Sequence, residues 1–226
     1  TRFMWYPGKA ALRAGSVSDT QWDNTKVGTF SMATGVNTTA SNLASTAMGV
    51  NTTASGPFST AMGGYTTASG SNAMAIGYST DASGDYSTAM GYETAASGDY
   101  STAMGHGTTA SNDYSMAMGL STTASGFIST AMGYGPTASG YYSTAMGAST
   151  TASGYNSTAM GFLTTASGDH STAMGRETYA PSWAETAMGS YNTLAASWAS
   201  NYWLSTDRLL VIGNGTSASE RSNALV

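Results

Sequence analysis

Histidine, serine and aspartate are the residues of this sequence whose chemistry could support catalysis, but their spacing does not. His106 and His170 stand four or more repeats apart, so they cannot meet within one chain. Serine is abundant, yet no Gly-x-Ser-x-Gly elbow, phosphate-binding loop or dinucleotide fingerprint accompanies it. Cysteine is absent, which rules out disulfides and thiolate metal sites. The sequence predicts a protein that is not an enzyme and has no cofactor.

A row of acidic residues is the nearest thing to a metal site. Asp85, Asp99 and Asp113 recur at one repeat position. Stacked carboxylates could attract a cation, because hard cations prefer oxygen ligands. A solvated acidic edge is the alternative, and the sequence does not decide between the two.

A 14-residue repeat sets the architecture. Glycine recurs without insertion from Gly35 to Gly189, and a second glycine series from Gly56 to Gly168 lies halfway between. Each unit therefore has two halves, close to STAMGYx and TTASGxY. Seven residues hold a short strand and a tight turn, so one unit forms one coil of a parallel β-solenoid. Asn42 and Asn112 replace glycine in the second series, which predicts a positive φ there and close backbone approach in the first series.

Methionine occupies one phase of the repeat, which a disordered low-complexity tract would not require. In the motif Ser45-Thr46-Ala47-Met48-Gly49, alternation puts Ser and Ala on one face and Thr and Met on the other. We expect the small face inside a thin roll and the Met face outside, packed against copies of the chain around a symmetry axis. Methionine filling the monomer interior is the alternative. The predicted interface residues are Met48, Met62, Ile76, Met90, Met104, Met118, Met132, Met146, Met160, Met174 and Met188.

Variable, aromatic-rich positions fall at the predicted turns. An invariant frame with variable edges is typical of a binding surface on a rigid scaffold, although stacked aromatic rings could instead only stiffen the edge. A further aromatic segment, with Trp198, Tyr202 and Trp203, lies in a stretch that departs from the repeat. The predicted receptor-binding edge comprises Tyr78, Tyr86, Tyr92, Tyr100, Tyr114, Tyr134 and Tyr142.

The recurring Ser-Thr-Ala-Met-Gly motif, with Ala-Ser-Gly between copies, resembles the head domain of YadA-like trimeric autotransporter adhesins. The segment Asn72-Ala73-Met74-Ala75-Ile76-Gly77 is the nearest match to the Ser-Val-Ala-Ile-Gly motif of that family. The resemblance implies an all-β, left-handed parallel β-roll that is trimeric, with the Thr46 and Met48 phases facing the three-fold axis. The segments Thr1–Pro7 and Asp207–Gly215 resemble the flanking segments of fibre proteins from marine Bacteroidetes and of tail fibres of phages and phage-like injection particles.

Three segments follow from the extent of the repeat. We expect an N-terminal cap over residues 1–27, the β-roll over 28–189, and an irregular transition with an aromatic loop over 190–226 that continues into a further C-terminal region. A cap is needed because the end of a solenoid exposes unpaired strand edges.

Composition narrows the partners. The net charge of −5 disfavours nucleic acid as a partner. The sequence contains no run of about 18 apolar residues, so it does not predict a segment that inserts into a membrane. We therefore expect a homotrimeric, extracellular fibre segment, on a cell surface or at the tip of a phage-like particle, that binds a cell-surface glycan or protein. A purely structural spacer is one alternative. An ice-binding solenoid is another, because the Thr-Ala-Ser ladder resembles the Thr arrays of some antifreeze solenoids, although Asp81, Ala95 and Tyr179 interrupt the Thr column.

Overall fold

A computed structural model describes residues 1–194 and 200–226. The chain divides into two compact units, Thr1–Tyr114 and Ser115–Val226. Both are built from β-strands and turns, with three short 3₁₀ helices, Pro7–Lys9, Thr20–Trp22 and Asn24–Lys26, in the first unit. The all-β parallel solenoid of 14-residue coils predicted from the sequence is confirmed.

In the first unit, long strands of five or six residues alternate with two-residue strands once the repeat begins. The long strands are β1 Arg2–Tyr6, β2 Ala11–Ser16, β3 Met32–Val36, β5 Thr46–Val50, β7 Thr60–Gly64, β9 Met74–Tyr78, β11 Thr88–Tyr92 and β13 Thr102–His106. The two-residue strands are β4 Thr39–Ala40, β6 Thr53–Ala54, β8 Thr67–Ala68, β10 Asp81–Ala82, β12 Ala95–Ala96 and β14 Thr109–Ala110.

The second unit repeats this alternation and ends in two further strands. The longer strands are β15 Met116–Leu120, β17 Thr130–Tyr134, β19 Thr144–Ala148, β21 Thr158–Phe162, β23 Thr172–Arg176, β25 Thr186–Ser190, β26 Leu210–Asn214 and β27 Asn223–Leu225. The two-residue strands are β16 Thr123–Ala124, β18 Thr137–Ala138, β20 Thr151–Ala152, β22 Thr165–Ala166 and β24 Tyr179–Ala180.

Within each unit the coils stack on one another in register, which places identical side chains above one another. Met90 pairs with Ile76 on one side and Met104 on the other. The two-residue strands form a second parallel ladder, in which Thr53 pairs with Thr67 and Ala54 with Ala68. A uniform 14-residue period is what allows this register, because one inserted residue would move the next strand's side chains to the opposite face.

The interior of the roll is lined by small side chains. The long strands contribute alanines such as Ala47, and the two-residue strands contribute alanines such as Ala54, all fully buried. Buried serines and threonines complete the lining. The hydroxyl of Thr52, and those of most threonines at its repeat position, has no hydrogen-bond partner among the described residues. Pro136 occupies the same phase and is also buried, so this position selects for shape rather than for the hydroxyl group.

Glycine brings neighbouring coils into backbone contact. A Cβ on Gly91 would lie 2.0 Å from the carbonyl oxygen of Gly105, and Gly91 has φ +127°. In the second series, a Cβ on Gly70 would lie 2.0 Å from the carbonyl oxygen of Gly84, without a positive φ. The prediction of positive φ for the second series is therefore wrong. The left-handed residue of that turn lies two positions later, as at Asn72, because the intervening residues form the tight turn.

At the N-terminal end of the first unit the ladder is extended by two further strands. Strand β2 pairs in parallel with β3, so the ladder extends into the segment predicted as a cap, and β1 pairs antiparallel with β2. Arg13 takes the place of an interior alanine and is fully buried. Its guanidinium donates to the carbonyl oxygens of Ser31 and Ala40. Burial lowers the pKa of Arg13 to about 10, and the group still carries its charge at neutral pH.

The C-terminal end of the second unit is also closed by a buried charge. Glu185 stands where earlier coils have a buried serine, and its carboxylate lies 3.0 Å from Arg208. Burial raises the pKa of Glu185, although Arg208 and the backbone N–H of Ser182 oppose that shift. After this coil, β26 continues the ladder, with Met188 opposite Ile212, and β27 pairs antiparallel with β26.

The Gly91→Ala variant tests the close approach of coils. We expect it to lower the free energy of unfolding by about 3 kcal/mol or more, because the methyl group meets backbone and the φ value suits only glycine. Gly64→Ala is the matched control, because its Cβ would meet only the ring of Tyr78, at 3.1 Å. Equal thermal denaturation curves for both variants would show that the backbone contact is dispensable.

Candidate functional site

The outward face of the long strands carries an apolar stripe. We call the outward column of Met48, Met62, Ile76, Met90 and Met104 in the first unit, together with the column at the same repeat position in the second, the Met stripe. Its residues stand in register on successive strands. In the second unit the stripe comprises Met118, Met132, Met146, Met160, Met174 and Met188.

The Met stripe lies outside the roll. Its side chains are only partly buried, and Met132 keeps 36% of its surface exposed, whereas the alanines between them in sequence have none. The alternative that methionine fills the interior of the monomer is therefore wrong. Met74 and Met116 widen the stripe, because they replace the outward threonine of the motif, and each is 40% exposed.

The seven predicted edge tyrosines are all exposed, but they lie at two different edges. The positions of Tyr78, Tyr92 and Tyr134 end a long strand, whereas those of Tyr86, Tyr100, Tyr114 and Tyr142 precede the next one. Because the two turns of a coil follow opposite ends of the long strand, the structure separates the predicted edge into two rows.

The row formed by Tyr86, Tyr100 and Tyr114, which we call the Tyr row, is a regular stack. Ring centroids are 4.9 Å apart between Tyr86 and Tyr100 and 5.0 Å between Tyr100 and Tyr114, with interplanar angles of 2° and 1°. Tyr100 is thus covered by a neighbouring ring on both faces, and all three side chains remain about half exposed. The other edge is less regular, since Tyr78 stacks on Tyr92 at 5.5 Å while Tyr65 and His106 meet these rings edge-on.

The residues of the Tyr row have an unfavourable backbone conformation. Tyr86, Tyr100 and Tyr114 have φ of 57–58°, in the left-handed region that favours glycine and asparagine. Asn72 and Asn156 occupy the same turn position in other coils. A residue with a Cβ in the left-handed conformation destabilises the fold by roughly 1–2 kcal/mol, and one aromatic pair stabilises it by about 0.5–1.5 kcal/mol. The turn alone therefore does not explain why tyrosine stands here.

Several aromatic residues of these edges lie one position away from the predicted ones. In the second unit, Phe127, Tyr142, Tyr155 and His170 form a chain of ring contacts with centroid distances of 5.4–5.9 Å that ends at Trp183, 5.8 Å from His170. The sequence signal was present, because the position before the left-handed residue is also variable.

The acidic row contributes to the backbone of the turn. The carboxylate oxygen of Asp85 accepts the N–H of Ser71 at 2.8 Å, that of Asp99 accepts the N–H of Asp85 at 2.9 Å, and that of Asp113 accepts the N–H of Asp99 at 3.0 Å. Each carboxylate thus pairs an N–H group of the preceding coil that the strand ladders leave unpaired. No group of three or more His, Asp or Glu side chains in residues 1–194 and 200–226 is arranged to hold a metal ion.

Of the predicted aromatic loop, Tyr202 and Trp203 are 59% and 53% exposed. Trp198 lies outside the described residues. Each two-residue strand presents a single outward residue. The column of outward threonines on these strands is broken by Asp81 and Ala95.

Comparison with protein-family models gives five matches to the YadA head domain repeat, each covering two copies. The matched segments are residues 40–66, 68–94, 96–122, 124–150 and 152–178, which together exceed half of the chain. The chain belongs to the YadA head family. A search of curated proteins found no significant match.

YadA heads are structural, adhesin-type β-rolls that are exposed at cell surfaces. The chain therefore has the architecture of an adhesin-like fibre segment and belongs to a non-enzymatic family. Within the described part of this YadA head, no helix is long and apolar enough to span a membrane.

The Tyr100→Asn variant separates the stability of the Tyr row from its function. We expect the free energy of unfolding to fall by no more than about 2 kcal/mol, because partial relief of the left-handed strain offsets much of the loss of the two ring contacts. Ala89→Asn, in the fully buried interior, should be strongly destabilised in the same urea titrations. A loss above about 3 kcal/mol for Tyr100→Asn would mean that the row mainly stiffens the edge.

Proposed function

We propose that this YadA head is a homotrimeric, structural and adhesive segment of an extracellular fibre that binds a cell-surface glycan or protein through its turn edges. Such a fibre belongs on a bacterial surface or at the tip of a phage-like particle. The observation that carries the proposal is the Met stripe on the outside of the roll, which no part of the described monomer covers.

The Met stripe favours assembly on energetic grounds. Complete burial of one methionine side chain contributes roughly 1.5–3 kcal/mol to stability. Each Met of the stripe is only partly buried in the monomer and therefore gains only part of this free energy. The deficit repeats at every coil. A continuous apolar face of this kind on a soluble monomer marks an interaction surface.

A symmetry axis parallel to the stacking direction fits the stripe. Because the coils repeat in register, each level of the stripe can meet the same level of another copy. The family resemblance supports three copies, with the Thr46 and Met48 phases around the axis. The partner of the stripe is then the chain itself.

The Met146→Asp variant tests the trimer. Met146 lies between Met132 and Met160 in the ladder, so a trimer would bring three carboxylates together in an apolar seam. Like charges there cannot all stay ionised, and each buried unpaired charge costs several kcal/mol. We expect multi-angle light scattering to show a trimer for the wild type and monomer or aggregate for the variant.

Thr151→Asp is the control, because Thr151 lies in the same coil on the two-residue strand. It should leave the trimer intact. A wild-type chain that is monomeric at micromolar concentration would overturn the proposed assembly, and equal tolerance of both substitutions would overturn the assignment of the stripe to the interface.

The turn edges support the adhesive part of the proposal. The Tyr row projects hydroxyl groups at a spacing set by the coil repeat, from a frame held rigid by backbone contacts. Tyrosine combines large contact area with few rotatable bonds, which lowers the entropy cost of binding. Its presence at a left-handed position, where asparagine is better suited, favours selection for contact with a partner.

Charge restricts the partner of this edge. Asp85, Asp99 and Asp113 immediately precede the three tyrosines in sequence, and their carboxylates bring negative charge to the same turns. Loss of hydration beside the neighbouring rings raises the pKa of Tyr100, and Tyr86, Tyr114, Asp99 and Asp85 raise it further. The phenol of Tyr100 therefore stays a neutral donor at physiological pH. This chemistry suits a hydroxyl-rich neutral glycan or a basic protein surface better than an acidic glycan.

The triple variant Tyr86→Asn, Tyr100→Asn and Tyr114→Asn tests adhesion. We expect it to remain trimeric and folded but to lose most binding, roughly tenfold or more, on a glycan array and on whole cells, because several anchoring aromatics disappear together.

The pair Tyr78→Asn and Tyr92→Asn, at the opposite edge, is the matched control for general loss of aromatic surface. Binding that survives both sets of substitutions would overturn the turn edges as the binding surface, and a wild-type trimer that binds no glycan and no cell would favour the purely structural spacer over the adhesin.

A further inference from the structure

The first strand leaves two large apolar side chains in solvent. Phe3 is 75% exposed and Trp5 is 57% exposed, the highest values among the aromatic side chains of the first strand. The opposite side of β1 is occupied. The hydroxyl of Tyr6 donates to the carbonyl oxygen of Trp22 at 2.8 Å, and Trp22 is buried. Strand β1 is therefore anchored on one side and unpartnered on the other.

The register shows which side Phe3 and Trp5 occupy. In the antiparallel pair, Trp5 stands opposite Leu12 and Phe3 opposite Ala14, while Met4 stands opposite the buried Arg13. Directly opposed residues in a sheet project to the same face. Phe3 and Trp5 therefore lie on the outward face of the long strands, which is the face of the Met stripe.

The two columns of that face can be followed coil by coil. Trp5 is followed by Leu12, Met32 and Thr46, and Phe3 is followed by Ala14, Thr34 and Met48. The methionine column therefore has small residues, Ala14 and Thr34, in its first two coils. The neighbouring strand then supplies Phe3, the largest side chain of this column in the first unit. Small and large residues alternate in this way where a packed layer is filled.

We propose that Phe3 and Trp5 of three copies of this chain pack against one another and close the N-terminal end of the seam formed by the Met stripe. The inference rests on the proposed trimer and names a further contact within it. The occupant of the exposed aromatic face is the second and third copies of the chain, because that face is continuous with the Met stripe. The aromatic layer would keep water out of the first coils, where Ala14 and Thr34 leave room.

Single cysteines test this directly, because the chain contains none. Phe3→Cys places a thiol in the proposed layer, and Met90→Cys places one in the middle of the seam. Arg2→Cys is the matched control, since Arg2 is exposed, adjacent to Phe3 and on the opposite side of β1. Each variant is oxidised at micromolar concentration with copper phenanthroline, and covalent dimer is followed over time on non-reducing gels.

We expect Phe3→Cys and Met90→Cys to cross-link about a hundredfold faster than Arg2→Cys. Thiols that face one another across the seam have an effective concentration near the millimolar range, whereas the thiols of Arg2→Cys lie on the opposite side of β1 and face away from the seam. Dimer should account for no more than two of every three chains, since three thiols around an axis can form one disulfide. Independence of the rate from chain concentration would confirm that the disulfide forms within a trimer.

Two outcomes would overturn the inference, and only the second would also overturn the proposed trimer. If Met90→Cys cross-links and Phe3→Cys is no faster than Arg2→Cys, the trimer stands and the aromatic layer does not exist. If neither Phe3→Cys nor Met90→Cys cross-links and light scattering shows monomer, the proposed trimer fails and the layer with it.

Discussion

The contact between glycine backbones of successive coils is the constraint on which this structure depends. Coils approach until a Cβ on Gly91 would lie 2.0 Å from the next glycine carbonyl oxygen, and the second series imposes the same closeness at the opposite turn. Such contacts tolerate neither a side chain nor a change of register, so the 14-residue period must be uniform. The alanine interior, the Met stripe and the Tyr row therefore recur with the same 14-residue period.

A roll this thin has little apolar interior. Alanine, serine and threonine fill it, and the longest apolar side chains of the repeat must therefore lie outside. In an ordinary domain these side chains would form the core; here their burial requires another surface. The backbone ladders determine the fold of one chain, while the Met stripe stays a partly exposed apolar surface of that chain. This division between a repetitive fold and one apolar face is the reason why the proposed trimer places its seam there.

The sequence predicted the period, the coil, the inward alanines and the outward methionines, because strand alternation and glycine spacing are local rules. It failed where a residue departs from the repeat. Asn42 was misread as a sign of positive φ, whereas its amide pairs with the backbone of Leu43 and Ser55. Arg13 and Glu185 could not be recognised as interior residues, since nothing in composition marks a charge that caps a solenoid end. The predicted tyrosines follow two different glycine series in the sequence, and the structure places these two series at opposite ends of the long strand.

The turn edges are the part of the molecule that the fold leaves free to vary. Their left-handed position accepts asparagine, alanine, histidine, isoleucine and tyrosine, so the coil does not require any one of them. A stacked tyrosine gains in ring contact about what it loses in backbone strain, which makes substitutions there nearly neutral for folding. In the proposed adhesin, selection at these positions can then follow binding alone. Because its stability depends on the glycines and its proposed assembly on the methionines, such a solenoid could change its partner by changing its turns.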